Sequence, residues 1–399
     1  MLGADEINIL EKCLLDSDYL FKTNSEVDRL VNLRMAGYNK LTKSSKKKKK
    51  EADYLMKIAS LRLRARRRYS LWNRLWFDEY TIMYSTPEYA GKYRSERLKG
   101  NTIHDLGAGS GMQSVMFSMH SEVTGVEENR ERTLMAQLNA KAYGSKAKFL
   151  NIDAIEYISS GGIDSNDIVF SDPVRLRNKN GWNLVPDPEL IQKRLTGICD
   201  NICFDLPPRT PVGKIPMECE AEYMSFNGNI VRLTRYQGKI VEAESTAVIL
   251  PEGITVSGKR KKWFPEPGDS GRYVCIPDPA VVSSHLLYTI NEYGEFHLGD
   301  MDERRMLLLS QSIPTKGFPG SVYEVLVSGG IEDMRKVCME MHPRQLIPRF
   351  NLPDSEYYHF IGTIMPDKSD GPPLYLYKMK SKYLAAVKIK IWISSTFWG

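Results

Sequence analysis

The sequence predicts an α/β fold with a doubly wound, mostly parallel sheet, preceded by a helical domain and followed by smaller α/β modules. Two observations lead to this prediction. From Gly100 onward, short apolar runs alternate with segments of helical spacing, which is the order typical of βαβ units. Before Gly100, apolar residues recur three and four positions apart, as they do on the buried face of a helix.

The N-terminal region, residues 1–98, is expected to be a helical domain that carries a basic segment. Ile7, Leu10 and Leu14 have the spacing of one helix face. Lys43–Lys50 is a low-complexity basic run. This run is either a solvated hinge between helices or the start of a helix that continues through residues 52–68.

Residues 99–262 are expected to form the domain that contains the parallel sheet. Its predicted strands are Thr102–Leu106, Glu122–Glu127, Lys148–Ile152, Asp167–Ser171 and Asn201–Leu206. Its predicted helices are Met112–His120, Asn129–Tyr143 and Glu189–Ile198. Asn227-Gly228 separates two alternating runs and predicts a hairpin that adds antiparallel strands.

The last third of the chain is expected to form two small α/β modules, at residues 268–326 and 327–399. Lys259–Arg272 is polar and contains prolines and glycines, so we predict a linker there. The most apolar stretch, 383–398, alternates in polarity and is interrupted by Lys388 and Lys390. It therefore predicts a strand and no membrane span.

The net charge of +6 is unevenly distributed along the chain. Between Lys40 and Arg74, fourteen Lys and Arg residues face two acids, a local charge of +12 that leaves −6 for the remainder. Such asymmetry suggests contact with nucleic acid or with an anionic membrane. A membrane surface would also need a long apolar face beside the cations, and the segment has only a short one.

The six cysteines are scattered and include no CxxC pair, and the six histidines do not cluster with them. This distribution predicts neither a metal site nor a disulfide framework. A reducing, cytoplasmic location is therefore expected, since the N-terminus also lacks the apolar core of a signal peptide.

The strongest motif is Asp105-Leu106-Gly107-Ala108-Gly109-Ser110-Gly111, placed where a strand should turn into a helix. Glycines at alternate positions allow a sharp bend on which a ligand can lie directly. Dinucleotide-binding loops have the order GxGxxG, whereas this loop has GxGxG. A carboxylate at Asp105 would repel a pyrophosphate but attract a ligand with a cationic amino group, such as S-adenosylmethionine.

Three more acids follow at the ends of successive predicted strands. Glu127 is placed to accept hydrogen bonds from ribose hydroxyls, and Asp153 to accept one from the adenine amino group. Asp172 and Pro173 follow the fourth strand and are the candidate catalytic residues. Because the carboxyl ends of parallel strands meet at one edge of a sheet, these residues are expected to line a single crevice.

These motifs resemble the class I S-adenosylmethionine-dependent methyltransferases, and within them a family that carries a THUMP-like domain. The resemblance covers roughly residues 60–380. It rests on the cofactor loop and on four further segments: Thr86-Pro87-Glu88-Tyr89-Ala90 with Arg94 and Arg97-Leu98, Asp172-Pro173-Val174-Arg175, Pro186-Asp187-Pro188, and Tyr273-Val274-Cys275-Ile276-Pro277-Asp278-Pro279-Ala280. It implies a Rossmann-like sheet, a ferredoxin-like module at 268–326 and a THUMP-like domain at 327–399.

The sequence departs from this pattern at the candidate catalytic motif. Val174 stands where the family has a small residue, and Leu176 where it has a second arginine. No aromatic residue follows Pro173, although the superfamily's amino-group methyltransferases have one there. Asp205-Leu206-Pro207-Pro208-Arg209 is a second candidate at the next strand end. Arg175 and Arg209 are candidate phosphate contacts.

The basic segment predicts RNA, either tRNA or rRNA, as the substrate. Its candidate contacts are Arg64, Arg67 and Arg68, because cations bind phosphates. Neighbouring aromatics can stack on unpaired bases, namely Tyr69, Trp72, Trp76 and Tyr80. Two alternatives remain open: a methyltransferase for a small molecule or protein, and a non-catalytic RNA-binding protein with a vestigial cofactor pocket. The oligomeric state is left open.

Overall fold

The computed structural model describes residues 4–37, 46–178, 181–301, 305–365, 370–380 and 382–389. The chain divides into two compact units. Unit 1 comprises residues 1–206 and 234–241, and unit 2 comprises residues 207–233 and 242–399. The four-part division predicted from the sequence is finer than these two units and stays a prediction.

Unit 1 contains the predicted helical region and the predicted parallel sheet. Its helices are α1 (Ala4–Leu15), α2 (Ser17–Met35), α3 (Lys46–Ala65), α4 (Thr81–Tyr84), α5 (Glu88–Arg97), α6 (Met112–Phe117), α7 (Arg130–Tyr143), α8 (Ala154–Ser159) and α9 (Pro188–Leu195). Its strands are β1 (Thr102–Leu106), β2 (Glu122–Val126), β3 (Lys148–Leu150), β4 (Ile168–Ser171), β5 (Val174–Asn178), β6 (Gly181–Val185) and β7 (Ile202–Leu206).

The sheet of unit 1 has the strand order β3-β2-β1-β4-β7, and all four strand pairings in it are parallel. The order runs in one direction from β1 to β3 and in the other from β4 to β7. The two halves therefore separate at β1 and β4, which is where open α/β sheets bind ligands beyond the carboxyl ends of their strands.

Alternating side chains of these strands face two separate hydrophobic clusters. Leu106, Val169 and Phe204 pack with residues of α8 and α9. Ile103 and Phe170 pack instead with Phe117 of α6 and with Tyr236. Since successive side chains of a strand point to opposite faces, helices cover the sheet on both sides, as a parallel sheet requires.

The N-terminal helices are part of the same unit, because α1 packs against α7 and α2 packs against α3. The basic run from Lys46 forms the start of α3, so of the two alternatives the helical one is correct for residues 46–50. Residues 43–45 lie outside the described residues. Arg62 of α3 is fully buried, where its guanidinium stacks 5.2 Å from the Trp76 ring centre and donates to the Leu75 carbonyl.

Unit 2 contains two groups of strands. Its elements are β8 (Glu220–Phe226), β9 (Asn229–Gln237, shared with unit 1), β10 (Ser245–Leu250), β11 (Ile254–Gly258), β12 (Tyr273–Pro277), α10 (Pro279–Ser283), β13 (His297–Met301), β14 (Met306–Ser310), β15 (Gly320–Gly329), α11 (Ile331–Met341), β16 (Leu346–Pro348), α12 (Asp354–Ile364), β17 (Leu374–Met379) and β18 (Lys382–Ile389). The predicted hairpin turn lies between β8 and β9, where Asn227 and Gly228 both have positive φ.

Within unit 2, β10 pairs with β8 in parallel and with β11 antiparallel. Strands β12 to β18 form one seven-stranded sheet in the order β13-β14-β12-β15-β18-β17-β16. Both C-terminal modules predicted from the sequence contribute to this sheet, and the predicted boundary at residue 326 falls inside β15.

Candidate functional site

The glycine loop between β1 and α6 adopts the backbone that only glycine takes without strain. Gly107, Gly109 and Gly111 have φ of +84°, +58° and +77°. The N–H groups of Gly107 and Ala108 both donate to the Val126 carbonyl at 2.9 Å, which fixes the loop to the end of β2. The sharp bend predicted from the sequence is therefore present.

The loop is tightly packed at Gly111 and exposed at Gly107. A Cβ at Gly111 would lie 2.7 Å from the Ala136 Cβ and 2.8 Å from the Phe149 ring. At Gly107, which is exposed, the nearest atom to such a Cβ would be the Pro186 Cδ at 3.5 Å. A side chain at Gly107 would therefore meet only an ordinary van der Waals contact, and the backbone there is exposed.

Asp105 ends β1 directly before the loop, and its side chain is 2% exposed. The Ser114 hydroxyl donates a hydrogen bond to its Oδ2 at 2.5 Å. Burial raises the pKa of Asp105 to about 7; the Ser114 hydrogen bond opposes this rise and the negative charge of Asp172 adds to it. A buried carboxylate that is costly to ionise alone would be stabilised by a cationic ligand group.

Glu127 follows β2 and connects the loop to the next helix. Its two carboxylate oxygens accept the N–H groups of Gly109 and Asn129, each at 2.9 Å. Burial raises the pKa of Glu127, while these two backbone hydrogen bonds lower it. The acid predicted to contact the ribose is therefore held against the cofactor loop.

Asp153 lies at the start of α8 and is exposed. Its Oδ1 accepts hydrogen bonds from the backbone N–H groups of Ile155 and Glu156 at 2.8 and 3.0 Å. This is the position and bonding of a helix N-cap, which stabilises α8 whether or not a ligand is present. Its contact with adenine stays a prediction.

Asp172 and Pro173 follow β4, next to β1. The Ser171 hydroxyl donates to the Leu106 carbonyl at 2.9 Å and so joins the ends of the two strands. Asp172 is half-buried and Pro173 is buried. Asp172 is near enough to raise the pKa of Asp105 through its charge, so the structure brings these two predicted site residues to the same strand ends.

A buried ion pair lies among the same strands. Arg94 of α5 is fully buried and donates to the Asp205 Oδ1 at 2.5 Å and to the Thr234 hydroxyl at 2.8 Å. Burial lowers the pKa of Arg94, but the Asp205 carboxylate, together with Tyr236 and Asp172, more than offsets this and raises the pKa above its usual value. Asp205, the second catalytic candidate, thus holds a buried arginine.

Apart from Tyr80, the sequence did not indicate the segment that borders the loop on its N-terminal side, residues 78–85. Ser85 and Ser110 approach with their hydroxyls 3.0 Å apart, and the Thr81 methyl is 3.8 Å from where a Gly109 Cβ would stand. Arg132 of α7 connects this segment to the site, since its Nε donates to the Asp78 Oδ2 at 2.8 Å. No local pattern in the sequence marks Arg132.

The predicted RNA contacts of the basic segment differ in their surroundings. Arg64 is exposed and paired with Glu79, and Arg67 is exposed. Arg68 is half-buried, and its guanidinium donates to the carbonyls of Ile82 and Ser85, so it also fastens α4.

Two of the four aromatics proposed to stack on bases are not accessible. Tyr69 is 3% exposed and Trp76 is 1% exposed, and both belong to the hydrophobic core of unit 1. The prediction is wrong for these two residues. Although they lie in a basic segment, their side chains belong to the face that packs into the hydrophobic core. Trp72 and Tyr80 are half-buried.

The two candidate phosphate contacts stay predictions. Arg175 lies in β5, and its side chain is outside the described part of the chain. Arg209 is exposed in the turn that begins unit 2.

Within the described ranges, no helix has both the length and the apolar character that a membrane span requires. Among the same residues, no three or more His, Cys, Asp or Glu side chains are grouped as metal ligands would be. All six cysteines are buried, and none of them forms a disulfide.

Neither a family model nor a curated protein matches the sequence. Among solved structures, a Porphyromonas gingivalis protein proposed to be a methyltransferase aligns with 98% of this chain and 100% of its own, at 17% identity and a TM-score of 0.72. A Listeria monocytogenes protein proposed to be a class I S-adenosylmethionine-dependent methyltransferase aligns with 62% of this chain and 92% of its own, at 12% identity and a TM-score of 0.34.

A third structure, the T. thermophilus 16S rRNA N2 G1207 methyltransferase with AdoMet and guanosine, aligns with 31% of this chain and 35% of its own, at 22% identity and a TM-score of 0.26. With such low TM-scores, the second and third likenesses carry no argument about this chain. The first extends over nearly the whole chain and shows the fold. The predicted α/β fold with a doubly wound, Rossmann-like sheet is thereby confirmed.

Proposed function

We propose that this protein is an S-adenosylmethionine-dependent methyltransferase and that its substrate is RNA, either tRNA or rRNA. The observation that carries the proposal is the buried Asp105 carboxylate beside a glycine loop that is exposed at Gly107, at the point where the halves of the parallel sheet separate. A cationic amino group on a ligand in this loop would compensate the buried charge.

The residues at the strand ends fit S-adenosylmethionine in their chemistry. Asp105 would bind the amino group of the methionine part, and the backbone of Gly107 and Gly109 would lie against the ligand. Glu127 would accept from the ribose hydroxyls and Asp153 from the adenine amino group. When bound, the cofactor supplies a methyl group that its sulfonium already activates.

The protein's own contribution to methyl transfer is then orientation and exclusion of water. Pro173 and the buried end of β4 shape the wall beside the loop, and the half-buried Asp172 carboxylate can accept a hydrogen bond from the group to be methylated. Arg94 and Asp205 hold α5 against the sheet below these residues. Methyl transfer to a nitrogen with a free lone pair requires no separate nucleophile in the protein.

RNA is proposed as the substrate because of the charge of the Lys40–Arg74 segment, which is +12. Phosphates of a polyanion would release counterions on meeting such a segment, and this release drives nucleic-acid binding. Arg64 and Arg67 place part of that charge at exposed positions of unit 1.

The first test is calorimetric titration of S-adenosylmethionine into the wild-type protein and into Asp105→Asn, which keeps the shape of the side chain. We expect Asp105→Asn to weaken binding by roughly 10- to 100-fold, because a hydrogen bond to a charged group contributes about 1.5–3 kcal/mol. The matched control is Asp278→Asn, which changes another buried aspartate, in unit 2, and should leave the affinity unchanged.

A folded wild-type protein without affinity for S-adenosylmethionine would refute the proposed cofactor. If binding is observed, transfer of a tritiated methyl group to RNA, protein and metabolite fractions identifies the acceptor. Label in the RNA fraction is expected; label confined to another fraction would refute the proposed substrate. Binding without any transfer would support the alternative of a vestigial pocket.

A further inference from the structure

Two tyrosines one helical turn apart, Tyr80 and Tyr84, form an aromatic pair beside the glycine loop. Their ring centres are 4.6 Å apart and their planes are inclined by 40°. Tyr84 is 54% exposed, and its neighbour Met83 is 55% exposed. An aromatic ring and a methionine are thus exposed together on the short helix next to the candidate site.

The position of the pair connects it to the proposed transfer site. Tyr80 directly precedes Thr81, whose methyl group faces Gly109, and Tyr84 directly precedes Ser85, whose hydroxyl is 3.0 Å from that of Ser110. The carboxylate of Asp172 is also near enough to act on Tyr80 electrostatically. The pair is therefore attached to the segment that contacts the cofactor loop, and Tyr80 lies within electrostatic reach of the candidate catalytic residue.

The pair is held in place from two sides. The Arg132 guanidinium lies 4.8 Å from the centre of the Tyr80 ring, and Arg132 is itself fixed by Asp78. From the turn that follows α3, Arg68 donates to the carbonyls of Ile82 and Ser85, on either side of Tyr84. An aromatic surface that is already rigid loses little entropy when a flat ligand stacks on it.

Arginines of the basic segment contact or adjoin the same helix. Arg66 and Arg67 are exposed and adjoin Arg68, which binds α4 directly, and Arg64 pairs with Glu79 one residue before the pair. Aromatic surface with cations at its margin is the composition that binds single-stranded nucleic acid, because bases stack on the rings while phosphates contact the cations.

We propose that Tyr84, supported by Tyr80, stacks on an unpaired base of single-stranded RNA and places that base beside the glycine loop for methylation. This inference rests on the proposed function and adds to it the element that positions the substrate. It requires the acceptor base to lie outside a duplex, in a loop, a bulge or a single strand, since a paired base has no accessible face.

The test measures RNA binding without turnover. The fluorescence anisotropy of a labelled single-stranded RNA about 10 nucleotides long is followed with the wild-type protein, Tyr84→Ala and Tyr84→Phe. We expect Tyr84→Ala to weaken binding about tenfold, and Tyr84→Phe to bind like the wild type because the ring is kept. The matched control is Tyr358→Ala, which removes a tyrosine of unit 2 that is 83% exposed and should have no effect.

A second measurement separates stacking from charge. With an abasic oligonucleotide of the same length, the difference between the wild type and Tyr84→Ala should disappear. Equal RNA affinity of Tyr84→Ala and the wild type would overturn the inference, as would an equal loss with the abasic strand. Absence of RNA binding by a wild-type protein that binds S-adenosylmethionine would also overturn it while leaving the proposed cofactor intact, whereas failure to bind S-adenosylmethionine counts against the proposed function.

Discussion

Burial of the Asp105 carboxylate sets a pH dependence for cofactor binding. Its pKa of about 7 means that, below neutral pH, the empty site holds this group mostly protonated. Binding a cationic amino group requires the ionised form, so each bound ligand then displaces a proton. We expect affinity for S-adenosylmethionine to fall about tenfold for each pH unit below 7.

Calorimetry between about pH 5.5 and about pH 7.5 checks this expectation, since the ligand's own amino group loses its proton only near pH 8. Titrations in buffers of different ionisation enthalpy report the released proton directly. Asp105→Asn should bind weakly and with little dependence on pH. A wild-type protein with constant affinity over this range would contradict the role given to Asp105.

Arg67 and Arg68 are neighbours in the sequence but should respond differently to substitution by alanine. Arg67→Ala removes an exposed charge, so we expect weaker RNA binding and a free energy of unfolding within about 0.5 kcal/mol of the wild type. Arg68→Ala also removes the donors to the Ile82 and Ser85 carbonyls and should cost about 1–3 kcal/mol of stability. Urea unfolding and RNA titration of both variants distinguish the roles, and equal stabilities would contradict the account of Arg68.

Single site residues can be predicted from the sequence when a contiguous motif determines both their chemistry and their position. Asp105 and the glycines could be predicted because the motif itself specifies a strand end and a bend. Arg132 could not be, since its contact with Asp78 joins positions 54 residues apart. Tyr80 and Tyr84 are four residues apart, which places them on one face if the segment is helical. The helix itself could not be predicted, because four residues are too few to show a helical periodicity.

The glycine loop as an element depends on close packing at Gly111 as well as on backbone freedom. Gly111→Ala would combine a left-handed backbone with contacts of 2.7–2.8 Å to Ala136 and Phe149. Gly144→Ala is the matched control: its φ is +63°, and a Cβ there would meet nothing within 4 Å. We expect Gly144→Ala to lose about 1–2 kcal/mol and Gly111→Ala to lose about 1–3 kcal/mol more.

Urea unfolding of both variants measures the difference. The additional loss of stability in Gly111→Ala arises where the glycine loop packs against α7 and β3. This variant should therefore also weaken S-adenosylmethionine binding, whereas Gly144→Ala should not. Equal loss of stability in the two variants would mean that the loop can shift to accommodate a methyl group, and that packing does not fix its conformation.

The same distinction between local and non-local causes applies to whole elements. The predicted strands of the parallel sheet match β1, β2, β3, β4 and β7 to within two residues at each end, because each is an apolar run bounded by polar or turn residues. The hairpin of β5 and β6 was missed. Its alternating residues, from Val174 onward, were assigned to a catalytic motif and not to a strand.

For the molecule as a whole, the division into two units was not predicted. The chain leaves unit 1 at Pro207 and returns to it at Thr234, inside β9, for residues 234–241. In unit 1, Thr234 then receives a hydrogen bond from Arg94, 140 residues earlier. Such a return depends on contacts distant in sequence, whereas composition and periodicity report only on neighbours.

Charge distribution, in contrast, is a property of the whole chain that the sequence states directly. If the Lys40–Arg74 segment meets the phosphates of RNA, affinity should fall linearly with salt on a double logarithmic scale. Each phosphate contact with a single strand contributes about 0.7 to this slope. The combined change Lys47→Gln, Lys48→Gln and Lys49→Gln should therefore reduce the slope by about 2.

Lys259→Gln, Lys261→Gln and Lys262→Gln together form the matched control, because they lower the net charge by the same amount at exposed positions of unit 2. If RNA binding depends on net charge alone, the two triple variants will show the same loss of RNA affinity and the same reduction in the salt-dependence slope. If RNA contacts the basic segment, only the variant at Lys47, Lys48 and Lys49 will have a smaller salt-dependence slope. That reduction should be the same whether or not Tyr84→Ala is also present. The second outcome is expected, since stacking of a base releases no counterions and leaves the salt dependence unchanged.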